Sequence, residues 1–91
     1  MICRRSFVSG RVQGVFYRAT CVRMAGSMGI RGFARNLDDG RVEVLACGEA
    51  AAVEAFIAWL WKGSAASKVT AVETQELDPA SIQCPADFAS A

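Results

Sequence analysis

The chain has 91 residues, 53% of them apolar, and a net charge of +1. That length supports one small domain over residues 1–91 and no more, and the near-neutral charge argues against bulk binding to nucleic acid or a membrane surface. No apolar run approaches the ~18 residues that span a bilayer, and Met1-Ile2-Cys3-Arg4-Arg5 lacks the apolar stretch of a secretory signal, so a cytoplasmic monomer is expected.

Residues 2–12 alternate imperfectly. Ile2, Ser6, Val8, Gly10 and Val12 share one side, and Cys3, Arg5 and Phe7 share the other. This predicts a strand ending near Val12, although Arg4 and Ser6 are polar for inward positions. Gly14 breaks it. Arg18 to Met28 reads as a helix with Ala19, Val22, Ala25 and Met28 toward the core, stopped by Gly29. Ile30 to Asn36 reads as a second strand. Asp38-Asp39-Gly40 is a hairpin turn, since Asp-Gly supplies the positive φ such turns need. Arg41 to Cys47 then alternates, with Val42, Val44 and Ala46 inward and Glu43 and Leu45 outward. Ala50 to Lys62 reads as a second helix with the stripe Val53, Phe56, Ile57 and Leu60. Trp59 and Trp61 stand two positions apart on it, so one packs inward and the other lies at the surface. After a small-residue loop at 64–68, Val69 to Leu77 reads as a fourth strand. The tail from Asp78 to Ala91 carries both prolines and offers only a short closing strand around Phe88.

The order strand, helix, strand, strand, helix, strand is that of an α+β ferredoxin-like sandwich. It predicts a split β-α-β unit, a four- to five-stranded antiparallel sheet and two helices on one face. In that order the first and third strands are antiparallel neighbours. Matching their inward sets pairs 6 with 44 and 8 with 42, which sets Cys3 opposite Cys47 as a disulfide-competent pair. A reducing cytoplasm would keep that pair as thiols. The four cysteines contain no CxxC spacing and the chain has no histidine, so neither a zinc site nor an iron–sulfur cofactor is expected.

The loop Gln13-Gly14-Val15-Phe16-Tyr17-Arg18 sits between a strand and a helix N-terminus. Gly14 lets successive N–H groups aim into one concavity, the helix adds its first-turn donors, and Arg18 adds a planar fork for two phosphate oxygens. Spacing alone admits either an anion site or a tight turn with a solvated arginine. Asn36 ends the second strand at the same edge of the sheet. Its amide can orient a water, or it can simply start the turn. Asp38 and Asp39 read as solvated turn residues rather than an acid/base pair. Arg31-Gly32-Phe33-Ala34 opens like an RNA-recognition octamer, but the match fails at Asn36 and Asp38. The third strand also has no aromatic platform, so no nucleic-acid partner is expected.

Gly10-Arg11-Val12-Gln13-Gly14-Val15-Phe16-Tyr17-Arg18 resembles the first motif of the acylphosphatase family, Gly-x-Val-Gln-Gly-Val-x-Phe-Arg, with Tyr17 for the usual phenylalanine. The run from Gly29 to Val44 resembles its second motif, and the likeness covers about residues 6–77. The resemblance implies metal-independent hydrolysis of an acyl phosphate to a carboxylate and inorganic phosphate. By the family's pattern, Arg18 and the amides of Gln13, Gly14, Val15, Phe16, Tyr17 and Arg18 hold the phosphate, and Asn36 positions the attacking water. Inorganic phosphate or sulfate should occupy the same site. The loop 64–68 lacks the proline usual there, and the usual final strand is replaced by Asp87-Phe88-Ala89-Ser90-Ala91. A non-enzymatic anion-binding module on the same fold is the competing reading.

Overall fold

In the computed structural model, which covers residues 1–91, the alternating segments form strands β1 (Ile2–Arg11), β2 (Arg31–Asn36), β3 (Val42–Gly48) and β4 (Lys68–Leu77). The helices are α1 (Tyr17–Ser27) and α2 (Ala50–Leu60), and Phe88–Ser90 adds a short β5. The sheet order is β4-β1-β3-β2-β5. The register of β1 on β3 sets Ser6 against Val44, Val8 against Val42 and Cys3 against Cys47, as the inward sets require. The cysteines are free thiols.

The sheet is mixed rather than wholly antiparallel, because β5 runs parallel to β2. The cause is geometric. β4 ends at Leu77 beside Cys3, near the start of β1. β2 runs the same way as β1, since both oppose β3. The start of β2 lies at that same end, so the tail crosses, reverses direction relative to β4 and enters at Phe88 beside Gly32, running with β2.

Phe88 anchors this strand. Its ring meets Phe56 edge-on at 5.6 Å, Phe56 stacks on Trp59 at 5.8 Å, and Trp59 stacks on Tyr17 at 6.3 Å. The chain of rings ties β5, α2 and α1 together, each contact adding about 0.5–1.5 kcal/mol beyond its buried area. Trp61 lies at the surface.

Helix α1 begins one residue earlier than the periodicity indicates. Its buried positions are Tyr17, Cys21 and Ala25, while Ala19 is exposed. Tyr17 decides the rotation. As the largest side chain in the helix it turns inward, and its hydroxyl donates to the Leu60 carbonyl at 2.7 Å, satisfying a polar atom that burial would otherwise strand. Val22 and Met28 pack at the margin of the core.

Glu43 and Leu45, on the open face of β3, are also buried. Leu45 belongs to a small cluster with Cys3 and Cys47, against which Phe33, Leu77 and, from the tail, Ile82 and Cys84 pack. Glu43 is flanked by two arginines, Arg35 Nε donating at 2.6 Å and Arg5 Nε at 3.0 Å as an ion pair without hydrogen-bond geometry. On the helix face, Ser6 offsets its polarity through Thr74, hydroxyl to hydroxyl at 2.9 Å.

Candidate functional site

At the end of β1 the chain leaves the sheet through a bulge between Ser9 and Gly10. Gly10 has φ 116, and a Cβ there would sit 2.2 Å from the Lys68 carbonyl oxygen. Only glycine fits this close approach. The following turn has two left-handed residues, Gly14 at φ 73 and Phe16 at φ 61. For Phe16 this conformation costs on the order of 1–2 kcal/mol, and the surroundings hold it there. Its carbonyl accepts from the Thr20 amide at 3.0 Å and the Thr20 hydroxyl at 2.8 Å. The Val15 carbonyl accepts from the buried Ser64 hydroxyl at 2.7 Å.

These anchors decide where the amides point. All peptide bonds are trans, so each carbonyl is antiparallel to the N–H that follows it. With the Val15 and Phe16 carbonyls turned toward the protein, the Phe16 and Tyr17 N–H groups turn away from it. The amides of Gly14 through Ala19 donate to no carbonyl or side chain of the protein. Beside them lies a cleft of about 280 Å³ lined by Val12, Gly14, Phe16, Tyr17, Arg18, Ala19 and, from β5, Ser90. No acidic residue occupies the first turn of α1 to compete for these donors. The helix dipole and the Arg18 guanidinium both favour an anion here. A second groove, about 450 Å³ between α1 and the tail, has only Arg31 and Asp87 as charged lining. Arg31 Nε is already engaged there with the Pro85 carbonyl at 3.0 Å.

The predicted site residues divide into groups. Gly14, Phe16, Tyr17 and Arg18 line the cleft. Tyr17 does so through its backbone, because its ring is in the core. Val15 is buried and contributes a carbonyl anchor. Arg18 Nη1 donates to the Ala91 carbonyl at 3.0 Å, which steadies the guanidinium against the end of β5. Gln13 acts as a brace, its Nε2 donating to the carbonyls of Leu37 at 2.8 Å and Arg41 at 2.9 Å. These two bonds fasten the loop to the β2–β3 turn.

Asn36, the last residue of β2, is exposed and makes no side-chain hydrogen bond within the protein. It is not part of the cleft wall, but it is one residue from the Leu37 carbonyl that Gln13 holds. Asp39 caps the adjoining turn, accepting from the Arg41 amide at 3.1 Å and from Arg41 Nε at 2.8 Å. Those two bonds hold its carboxyl below the usual carboxylate range, as expected of a turn residue and not of an acid/base pair.

Sequence reasoning missed Ser64, Thr20 and the strained Phe16. A serine in a small-residue loop and a threonine in a first helical turn carry no signal of the carbonyls they hold. Phe16 was expected for its amide alone; a left-handed conformation is rare for so bulky a residue, so nothing in the sequence marked its strain.

The fold and the cleft define a class, the small α+β proteins of ferredoxin-like fold with a β1–α1 cleft suited to an anion. Within that class the match is specific. The Acylphosphatase family model matches residues 4–89. The chain is 51% identical over 76 residues to an acylphosphatase from Chromohalobacter salexigens, covering 84% of each chain. It is 47% identical over 81 residues to one from Nitrosococcus oceani, covering 89% of this chain and 91% of the relative. The crystal structure of acylphosphatase from Bacillus subtilis superposes with a TM-score of 0.93 at 35% identity, covering 100% of this chain and 99% of the other. The chain belongs to the acylphosphatase family, hydrolases that cleave the carboxyl–phosphate bond of acyl phosphates.

Proposed function

We propose that the β1–α1 loop holds the phosphoryl group of an acyl phosphate and that Asn36 orients the attacking water, without a metal ion. The observation that carries this reading is the run of unpaired amides from Gly14 to Ala19 beside Arg18. The phosphoryl oxygens accept from these N–H groups and from the fork of Arg18. Water attacks phosphorus in line, the bond from phosphorus to the acyl oxygen breaks, and the carboxylate leaves with the bonding electron pair. The proton released by the water stays with the phosphate or passes to solvent.

A carboxylate is a good leaving group at neutral pH, so the step needs no strong general acid and no histidine. Catalysis then rests on positioning and on stabilising charge at the equatorial oxygens. A neutral amide at Asn36 suits the water because it brings no negative charge toward the phosphoryl group. Its open side chain at the end of β2, with the adjoining turn fastened to the loop by Gln13, supports this role.

The test is steady-state hydrolysis of acetyl phosphate by wild type, Arg18→Ala and Asn36→Ala, with inorganic phosphate as competitive inhibitor and with and without a chelator. Arg18→Ala should lose kcat/KM by about a hundredfold or more, the scale of one preorganised charge-assisted contact. Asn36→Ala should lose kcat and keep its phosphate inhibition constant. Full activity in Arg18→Ala, or loss of wild-type activity with chelator, would refute the mechanism. Phosphate binding without turnover in wild type would favour an anion-binding module.

A further inference from the structure

One large apolar side chain stands where the cleft opens to solvent. Phe16 lines the cleft and is nevertheless 79% exposed. Its ring joins none of the aromatic pairs that tie α1, α2 and β5 together, and it is not among the residues packed against the core. Its backbone is left-handed at φ 61, a conformation that glycine adopts without strain and phenylalanine does not. The peptide is fixed all the same, because the Thr20 amide and hydroxyl hold the Phe16 carbonyl at 3.0 and 2.8 Å. The strained position therefore keeps a bare aromatic ring on a rigid backbone at the mouth of the cleft, and packing within the protein does not account for that ring.

We propose that the Phe16 ring is the acyl-binding subsite and selects acyl phosphates whose acyl group is bulky, apolar and uncharged, an aromatic acyl group above a short aliphatic one. The inference rests on the reading that the neighbouring amides and Arg18 hold the phosphoryl group. With the phosphoryl oxygens turned toward those donors, the acyl oxygen and the group behind it lie at the open side of the cleft, where Phe16 stands. An aromatic acyl group laid on Phe16 removes apolar area of both rings from water and adds the contact between the rings. A methyl group in the same place covers little of the ring.

The rest of the wall argues against a charged acyl group. Arg18 is the one charged residue in the lining, and the phosphoryl oxygens take its fork. Ser90 is the one other polar side chain free at the wall, since the Tyr17 hydroxyl is engaged with the Leu60 carbonyl. An acyl group carrying its own carboxylate, phosphate or ammonium therefore meets no countercharge of its own in the cleft. An apolar one meets Phe16 and, beside it, Ala19.

The experiment measures kcat/KM for benzoyl phosphate and for acetyl phosphate in wild type, Phe16→Ala, Phe16→Gly and Phe16→Tyr. The benzoyl-to-acetyl ratio is the readout. A change in the loop's hold on phosphate enters both substrates and cancels, and so does their difference in intrinsic reactivity when variants are compared. Phe16→Ala and Phe16→Gly should each lower the ratio about fivefold, and Phe16→Tyr should keep it near the wild-type value. A direct titration should show phenylphosphonate losing a similar factor relative to methylphosphonate in Phe16→Ala, with no turnover involved. A wild-type ratio in Phe16→Ala, or a ratio lost as fully in Phe16→Tyr as in Phe16→Ala, would overturn the subsite and leave the phosphate site standing. Failure of the wild type to hydrolyse acetyl phosphate would overturn both.

Discussion

In Ser64→Ala one buried hydroxyl is lost and no atom is added. Ser64 is 8% exposed and its hydroxyl donates to the Val15 carbonyl at 2.7 Å. Val15 is itself buried, so its carbonyl is left without a partner where water cannot readily replace one. An orphaned buried acceptor costs about 1–3 kcal/mol, and in a domain of this size each kcal/mol lowers Tm by about 4–8 °C. A fall of roughly 5–20 °C is therefore expected. The same bond holds the Val15–Phe16 peptide plane and so aims the Phe16 amide. Loosening one donor, without deleting it, should forfeit part of the ~3 kcal/mol that such a donor provides, or about tenfold in kcat/KM. The assay pairs a thermal melt with acetyl phosphate hydrolysis well below the lowered Tm. A folded Ser64→Ala protein with unchanged kcat/KM would refute the claim that this hydroxyl aims the amide.

Glu43→Gln removes the charge between Arg5 and Arg35. Both arginines are partly solvated, 33% and 52% exposed, so the loss should be about 1–3 kcal/mol, below the usual figure for a fully buried pair; an unchanged Tm would contradict it. Burial pushes the Cys21 thiol up to about 12, while in the unfolded chain it titrates near ~8.5. The native state thus binds the extra proton between those values, and stability present below ~8.5 is lost as pH rises toward 12. Cys21→Ala should remove about one proton's worth of that slope, ~1.4 kcal/mol per pH unit, in urea unfolding compared at about pH 8 and about pH 10; parallel slopes in variant and wild type would show that the thiol does not titrate differently on folding.

The hairpin and the β1–β3 register were legible because alternation and an Asp-Gly turn leave one pairing that buries Val8, Val42 and Val44 together. The Cys3–Cys47 opposition follows from that register alone. Local pattern fails where a distant partner decides. Tyr17 turns inward because Leu60 offers a carbonyl, which rotates α1 away from the Ala19 face. Glu43 reads as an outward residue, yet β3 is central and arginines from two other segments cover it. The parallel β5 depends on which edge the tail reaches, and a segment with two prolines carries no periodicity to show it. At the site, the glycine loop and Arg18 were legible as residue types. The direction of the amides was not, because it is set by Ser64 and Thr20 holding the far side of the peptide planes.

The central claim is that backbone N–H groups of the β1–α1 loop hold the phosphate. The most direct measurement is a titration of the isotopically labelled chain with inorganic phosphate, followed by amide proton chemical shifts. Saturable downfield shifts concentrated on the amides of Gly14 to Ala19, together with the Arg18 side-chain N–H signals, are the predicted result. Saturable binding that leaves these amides unmoved and shifts signals elsewhere, such as those around Arg31 and Asp87, would contradict it.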